Sequence, residues 1–481
     1  MEKLKEKSIE LIIIYKRKQL CLGFFETSRN ILENVDINFI KVYYKVINAL
    51  GGIPMKKIWL IMTTLVLSIT LIGCNNQEEE GVYSLATWAA GTELSELQEI
   101  VDEVNEEAEG EFEIKINSIP SNYYQQIAVL MGARQAPDMF WLTQEIVPKY
   151  AHDLGALADI SDNLEDSEKL NLDDYYEGVI ESTYYDGSYW GLPWISNPLV
   201  VYYNQDLFDQ AGVEAPSETD DWDWNEFIDK AEALTGETNH NGDDVYGTVI
   251  DGWPNLETFL WSGGGDVIAD DYETIVLDSE ASINGLDNLH EMITKGITPR
   301  YGIVDSLGGN NVWFERQQAA MFMGGVQDDF EEKIERMDEE DKFELGYAPM
   351  PTNLDGSKSS FNWTASTVLH KSNEDDPLAY EAMEALTLKI FDWKIAPPVK
   401  DSTDKIIDSN PDKEAMIPTI EHTLQFARSG HYIPEWDGTS GINDRLWYDL
   451  YLQMLRDEDF DYVSAAEDIA DFSRDLIGER E

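Results

Sequence analysis

The chain has 481 residues, too many for one hydrophobic core, and its 43% hydrophobic content, with 14 Trp and 23 Tyr, is ample for two or more. Asp and Glu number 94 against 34 Lys and Arg, a formal charge of −60. That balance excludes nucleic-acid binding through phosphate contacts, which need cations, and marks a solvated acidic surface suited to an exported protein. Two cysteines, Cys21 and Cys74, exclude both a disulfide framework and a cysteine metal cluster.

In chain order, residues 1–54 are net basic and end in Gly51-Gly52 a few codons before Met55. Those glycines can be encoded by a ribosome-binding sequence. Translation is therefore expected to start at Met55, with 1–54 a misread upstream extension. Residues 55–73 have a basic start (Lys56-Lys57) and an apolar run from Ile58, the pattern of a signal peptide rather than a spanning helix. Leu71-Ile72-Gly73-Cys74 resembles the lipobox of bacterial lipoproteins. The resemblance implies cleavage before Cys74, acylation of that cysteine and a membrane anchor; residues 74–81 then form a polar tether.

Beyond the tether, Val82–Trp88 reads as a strand, and Gly91-Thr92 opens a helix with Leu94, Leu97, Ile100, Val101 and Val104 on one face. Phe112, Ile114 and Ile116 alternate as in a half-buried strand. A helical pattern over Tyr123–Arg134 and a short buried strand at Met139–Leu142 complete βαβαβ, the start of a doubly wound sheet. Tyr189–Gly212 organises the rest. Its apolar, β-branched and aromatic run predicts a strand ending at Asn204, then a helical turn stopped by Gly212. The chain is read as crossing there from one lobe to another. Asp223 with Glu226 predicts a capping box, Ala319–Phe322 and Phe343–Ala348 read as strands, and Pro349-Met350-Pro351 reads as a second crossing. Phe361–His370 is strand-like; Leu378–Ile390, Arg445–Leu455 and Ala465–Ile477 are helical in pattern.

The ordered motifs APDMFWLTQE (136–145), LGALADIS (154–161), YWGLPW (189–194), VYYNQDLFDQAGVEAP (201–216), DWNEFIDKAEALTG (223–236) and ERQQAAMFMGG (315–325), with the strand-to-helix return at 361–390, resemble family 1 of the bacterial extracellular solute-binding proteins, which includes the maltose-binding protein. The resemblance spans about residues 82–477. It implies an α/β two-lobe periplasmic-binding-protein fold of type II, each lobe a sheet flanked by helices, with a multi-strand hinge and a ligand cleft. Lobe one would be 82–199 plus 351–395, and lobe two 200–350 plus 396–481. It also implies a carbohydrate ligand, expected to be an oligosaccharide held by aromatic stacking and hydrogen bonding, an ABC permease as partner, a monomer, and no catalysis or cofactor.

A sugar cleft needs flat rings and polar side chains, placed at the C-terminal ends of strands. The candidates are Trp88, Glu93, Trp141, Gln144, Glu145, Asn197, Trp253, Gln327, Trp363, Trp436 and Trp447. The resemblance leaves Gln144 and Glu145 interchangeable by one position. Asn197 falls where the maltose-binding protein has a carboxylate. Met323-Gly324-Gly325-Val326-Gln327 lacks the stacking ring often found there, so a maltose-type ligand is not implied. Trp190, Trp222, Trp224, Trp261 and Trp393 are read as structural. The six histidines have no metal-ligand spacing, and Asn239–Asp244 departs from a calcium loop at Ile250, so no metal is expected. Two alternatives remain: the same fold binding a non-sugar polar solute, or a surface glycan hydrolase.

Overall fold

The structure is a computed structural model that describes residues 81–478, apart from 220, 307, 392, 394, 395, 401, 403–405, 407–409 and 438–440. The expected extension, signal peptide and lipobox with Cys74 lie outside the described residues. Four strands open the sheet: β1 (Val82–Thr87), β2 (Glu113–Ser118), β3 (Met139–Thr143) and, much later in sequence, β9 (Ser360–Leu369). β1 pairs in parallel with β2 and β3, with a helix (Gly91–Glu107, then Tyr123–Gly132) in each crossover, as the apolar periodicity predicts. Leu97, Val101 and Val104 are the buried stripe of the first helix, flanked by half-buried Leu94 and Ile100.

β6 (Leu192–Asn204) is the longest strand, 13 residues, nearly all buried. Its first part, Leu192 to Pro198, pairs antiparallel with β9; its second part, from Leu199 on, pairs with β7 (Met321–Gly325) on one edge and β8 (Leu345–Pro349) on the other. Asn204 ends the strand and its side chain accepts the Leu207 amide, capping a helix that Gly212 terminates at φ 66°. Asp223 and Glu226 form the reciprocal capping box.

The buried apolar side chains divide at these strands. Two clusters take residues from 83–195 and 365–391; two others take residues from 199–361 and 396–470, with Tyr185 joining them from the first segment. Contacts between the two groups are dense enough that Glu79–Glu481 forms one compact unit. The second crossing is β9 itself rather than Pro349–Pro351. After β8 the chain stays with the second group, Thr352 donating to the Trp222 carbonyl and Leu354 to that of Ser262, both at 2.8 Å. Residues 351–359 therefore pack with 200–350. The expected helix Arg445–Leu455 is a composite, Ile442–Arg456, with a π-helical middle at Leu446–Tyr451. No helix among the described residues is long and apolar enough to cross a membrane.

Candidate functional site

Strand alternation decides which tryptophans can meet a ligand. On β3, Met139 and Trp141 point to one face and Phe140 and Leu142 to the other, and both faces are covered. Trp141 is fully buried, its ring 4.4 Å from Trp194 and 5.2 Å from Trp88, with Trp393 packed beside both Trp141 and Trp194. The expectation that Trp141 is a platform is corrected: it is core. Trp88 is half-buried on the edge of this stack and braced by Tyr123.

Gln144 also has a structural task. Its amide donates to the Asn362 carbonyl at 2.9 Å, and its Oε1 accepts from the Thr364 hydroxyl at 2.7 Å and from the Thr364 amide. It ties the end of β3 to the crossing strand β9. Glu145 follows it, half-buried, accepting from the Thr143 hydroxyl at 2.6 Å. Burial pushes its carboxyl above the usual range against that hydrogen bond, with Asp437 adding to the rise.

Trp363 is the candidate whose position fits a platform best. It lies on β9, half-buried, and packs against clusters of both groups. Asn197 stands opposite it in the β6–β9 ladder. The Asn197 Oδ1 accepts the Gln327 amide at 3.1 Å, and a Cβ on Gly325 would fall 2.4 Å from that oxygen. The glycine thus lets the turn after β7 close on β6, bringing Asn197 and Gln327 together.

A second cluster forms from loops of the 199–361 and 396–470 segments. Trp253 is half-buried, edge-on to Phe361 at 6.3 Å. The Trp447 ring lies where a Cβ on Gly252 would be, 2.2 Å away. Trp436 is buried against Tyr432 at 4.9 Å, which makes it core rather than a platform. Glu93 lies in the first turn of its helix and is half-exposed.

The sequence reading missed Glu257 and Tyr432. Glu257 sits in the first turn of the helix Leu256–Ser262, every residue of which is buried, and is itself 7% exposed. Its carboxylate accepts from Asn255 Nδ2 at 2.7 Å and lies 3.4 Å from the Tyr432 hydroxyl. Burial pushes it up to about 7, opposed by the hydrogen bonds from Asn255 and Tyr432 and reinforced by Asp266. Tyr432 also hydrogen-bonds with Gln144, so the second group touches the first next to Glu145. The signal available in sequence was a lone acid inside the apolar run Leu256–Trp261 with no basic residue near it.

Half-buried rings and hydrogen-bonded carboxyls are the groups that suit a solute with apolar faces and hydroxyls. Among the described residues, no group of three or more His, Cys, Asp or Glu is placed to hold a metal ion. In the loop resembling a calcium site, Asn239 Oδ1 instead accepts the backbone amides of Asn241 and Asp243.

Residues 88–389 match the family model described as bacterial extracellular solute-binding protein. A Brucella abortus protein named for binding alone is 23% identical over 289 residues, 58% of this chain and 66% of its own length. The chain thus spans just under two thirds of that relative. An arabinooligosaccharide-binding protein of Halalkalibacterium halodurans is 24% identical over 220 residues, 44% of this chain and 46% of that protein. Two solved structures share the fold. The sugar-binding protein MalE of Xanthomonas citri has a TM-score of 0.67 at 18% identity, over 83% of this chain and 98% of that one. A Listeria monocytogenes ABC substrate-binding protein in complex with cycloalternan has a TM-score of 0.64 at 20% identity, over 82% and 99%. The chain belongs to the bacterial extracellular solute-binding protein family, whose members bind solutes and are not enzymes, and it has the mixed α/β fold of periplasmic binding proteins.

Proposed function

We propose that this member of the family is an extracytoplasmic, lipid-anchored receptor that binds a carbohydrate between two lobes and delivers it to an ABC permease. What carries the reading is the family match over residues 88–389. Supporting it are the relatives named above for arabinooligosaccharide, sugar and cycloalternan binding. So does the placement of half-buried Trp363, Trp253 and Trp447 with Glu257, Glu145 and Asn197 around the crossing strands. The lobes are taken as 82–198 with 360–395, and 199–359 with 396–478. The anchor is taken as acylated Cys74, several acyl chains holding where one would hold weakly.

In this mechanism, ligand stabilises the closed arrangement by touching both lobes, and closure advances only as far as that differential affinity drives it. Trp363 supplies a flat face, worth about 0.5–1.5 kcal/mol beyond area burial. Carboxyl and amide groups fix hydroxyls, each charged hydrogen bond worth about 1.5–3 kcal/mol. Tryptophan fluorescence and small-angle scattering across mono- and oligosaccharides test it. Saturable quenching with compaction is expected from at least one sugar. Binding of amino acids or peptides in place of every sugar refutes the carbohydrate reading and keeps the fold.

A further inference from the structure

Carboxylates cover most of this chain, and one helix stands apart. Asp and Glu number 94 in 481 residues, yet residues 117–137 hold none. Two other long runs, 188–205 and 356–373, also lack acids. Those centre on the crossing strands β6 and β9, where burial excludes unpaired charge. Burial does not account for 117–137. That run carries the helix Tyr123–Gly132, in which Gln125, Ala128, Val129 and Gly132 are exposed, as is Ala133 beyond it. Val129 is 70% exposed, ahead of the 56% of Tyr448 and of every other large apolar side chain among the described residues. Arg134 is the sole charge in the run. The helix before it, Gly91–Glu107, exposes Glu99, Asp102 and Glu106; the last helix, Tyr462–Gly478, exposes Glu467, Asp471 and Asp475. A single exposed apolar residue needs no explanation, but an acid-free face on so acidic a chain does.

The buried side of the same helix reaches the candidate ligand groups. The Tyr123 hydroxyl donates to the Ala86 carbonyl at 2.9 Å and accepts the Trp141 amide at 3.0 Å, and its ring lies 5.3 Å from that of Trp88. The Tyr124 and Thr143 hydroxyls are 2.8 Å apart, and that of Thr143 donates to Glu145. A partner seated on the outer face therefore lies one helix thickness, about 10–12 Å, from Trp88 and Glu145.

We infer that the acid-free face of Tyr123–Gly132 is a docking surface for the membrane-spanning permease. It rests on the receptor reading above and adds which face makes the contact. Charge selects the occupant. An anionic membrane surface repels a chain of net charge −60, so contact with a partner embedded there falls where carboxylates are missing. Lipid headgroups themselves call for clustered Lys and Arg, and this face offers Arg134 alone. A second copy would bring its own carboxylates against these, at the cost of like-charge repulsion. A neutral protein surface remains. The helix has 10 residues and is about 15 Å long, enough for a contact below about 1,200 Å², the transient class that suits a receptor that must let go.

The test is photo-crosslinking in membranes of cells that make the protein. A benzophenone amino acid replaces, one at a time, Val129 and Ala133 on this face and Leu354 and Tyr448 elsewhere, all four exposed. The captured polypeptides are identified by mass spectrometry. Val129 and Ala133 are expected to capture a membrane-spanning permease subunit. With the crosslinker at Ala133, Val129→Glu should reduce that capture at least about tenfold, because it sets a carboxylate inside the contact, whereas Val129→Gln should keep it. Urea unfolding checks that both variants fold. Undiminished capture with Val129→Glu overturns the docking face. So does capture of the permease only through Leu354 or Tyr448, with a second copy, lipid or nothing on Val129 and Ala133; the receptor reading then stands. Capture of no permease subunit from any of the four positions overturns both.

Discussion

Replacing Glu257 with Gln isolates the cost of a buried charge. In the folded protein its carboxyl is moved from 4.5 to about 7, first by burial. Each tenfold change in proton affinity is about 1.4 kcal/mol, so the ionised form is roughly 3 kcal/mol less favourable folded than unfolded. The sign follows from the raised value. Below pH 4.5 both states carry the proton and nothing is lost; as pH rises to 7 the unfolded chain ionises first, and stability falls. Asn255, Tyr432 and Asp266 surround the group, and none is a cation that would offset the charge. Glu257→Gln keeps the shape and an oxygen for Asn255 but cannot ionise. In urea unfolding, the variant should match wild type near pH 4.5 and exceed it by about 3 kcal/mol at pH 8. The difference between the two proteins removes other titrations, such as that of Asp328, which burial pushes up to about 6. A wild-type-minus-variant difference that stays flat from pH 4.5 to 8 refutes the reasoning.

Three further outcomes follow from the packing. Trp141→Ala should cost about 3–5 kcal/mol of stability in chemical denaturation, since the ring is fully buried, whereas Trp363→Ala should cost less and show its effect in sugar titrations. Lys413, 1% exposed, donates to Glu331 at 2.7 Å while Tyr347 donates to the same carboxylate at 2.8 Å. Lys413→Met should therefore lower stability by about 3–5 kcal/mol, with Lys413→Met/Glu331→Gln recovering part of it. Lys149 reaches across the junction to the Asp437 carbonyl at 2.5 Å and its carboxylate at 3.9 Å. Lys149→Ala should change stability by less than about 1 kcal/mol, as exposed pairs do, yet enlarge the radius of gyration of the sugar-free protein in scattering.

Local signals were readable in the sequence and long-range ones were not. The β6 run, the Asn204 cap, the Gly212 stop and the Asp223–Glu226 box each depend on residues a few positions apart. The parallel β1, β2 and β3 followed from alternating strand and helix periods. Trp141 was misjudged because a tryptophan near a strand end does not reveal what covers its face; here Trp194 and Trp393 do. Gln144 reads as a ligand group until β9, more than two hundred residues later, arrives beside it. Glu257 was passed over because its burial depends partly on Tyr432, 175 residues away. Pro349–Pro351 reads as a break in the chain, and only the Trp222 and Ser262 carbonyls that hold the loop beyond it reveal that the crossing comes later.

The handover in β6 falls at Pro198, the last partner in the ladder with β9, and its carbonyl accepts from Val326 at 3.1 Å. A proline has no amide to donate, so the strand can flex at that residue without surrendering a donated bond. The pairing of Leu192–Asn197 with Trp363–Thr367 thus lies on one side of that residue, and the pairing of Leu199–Asn204 with β7 and β8 on the other.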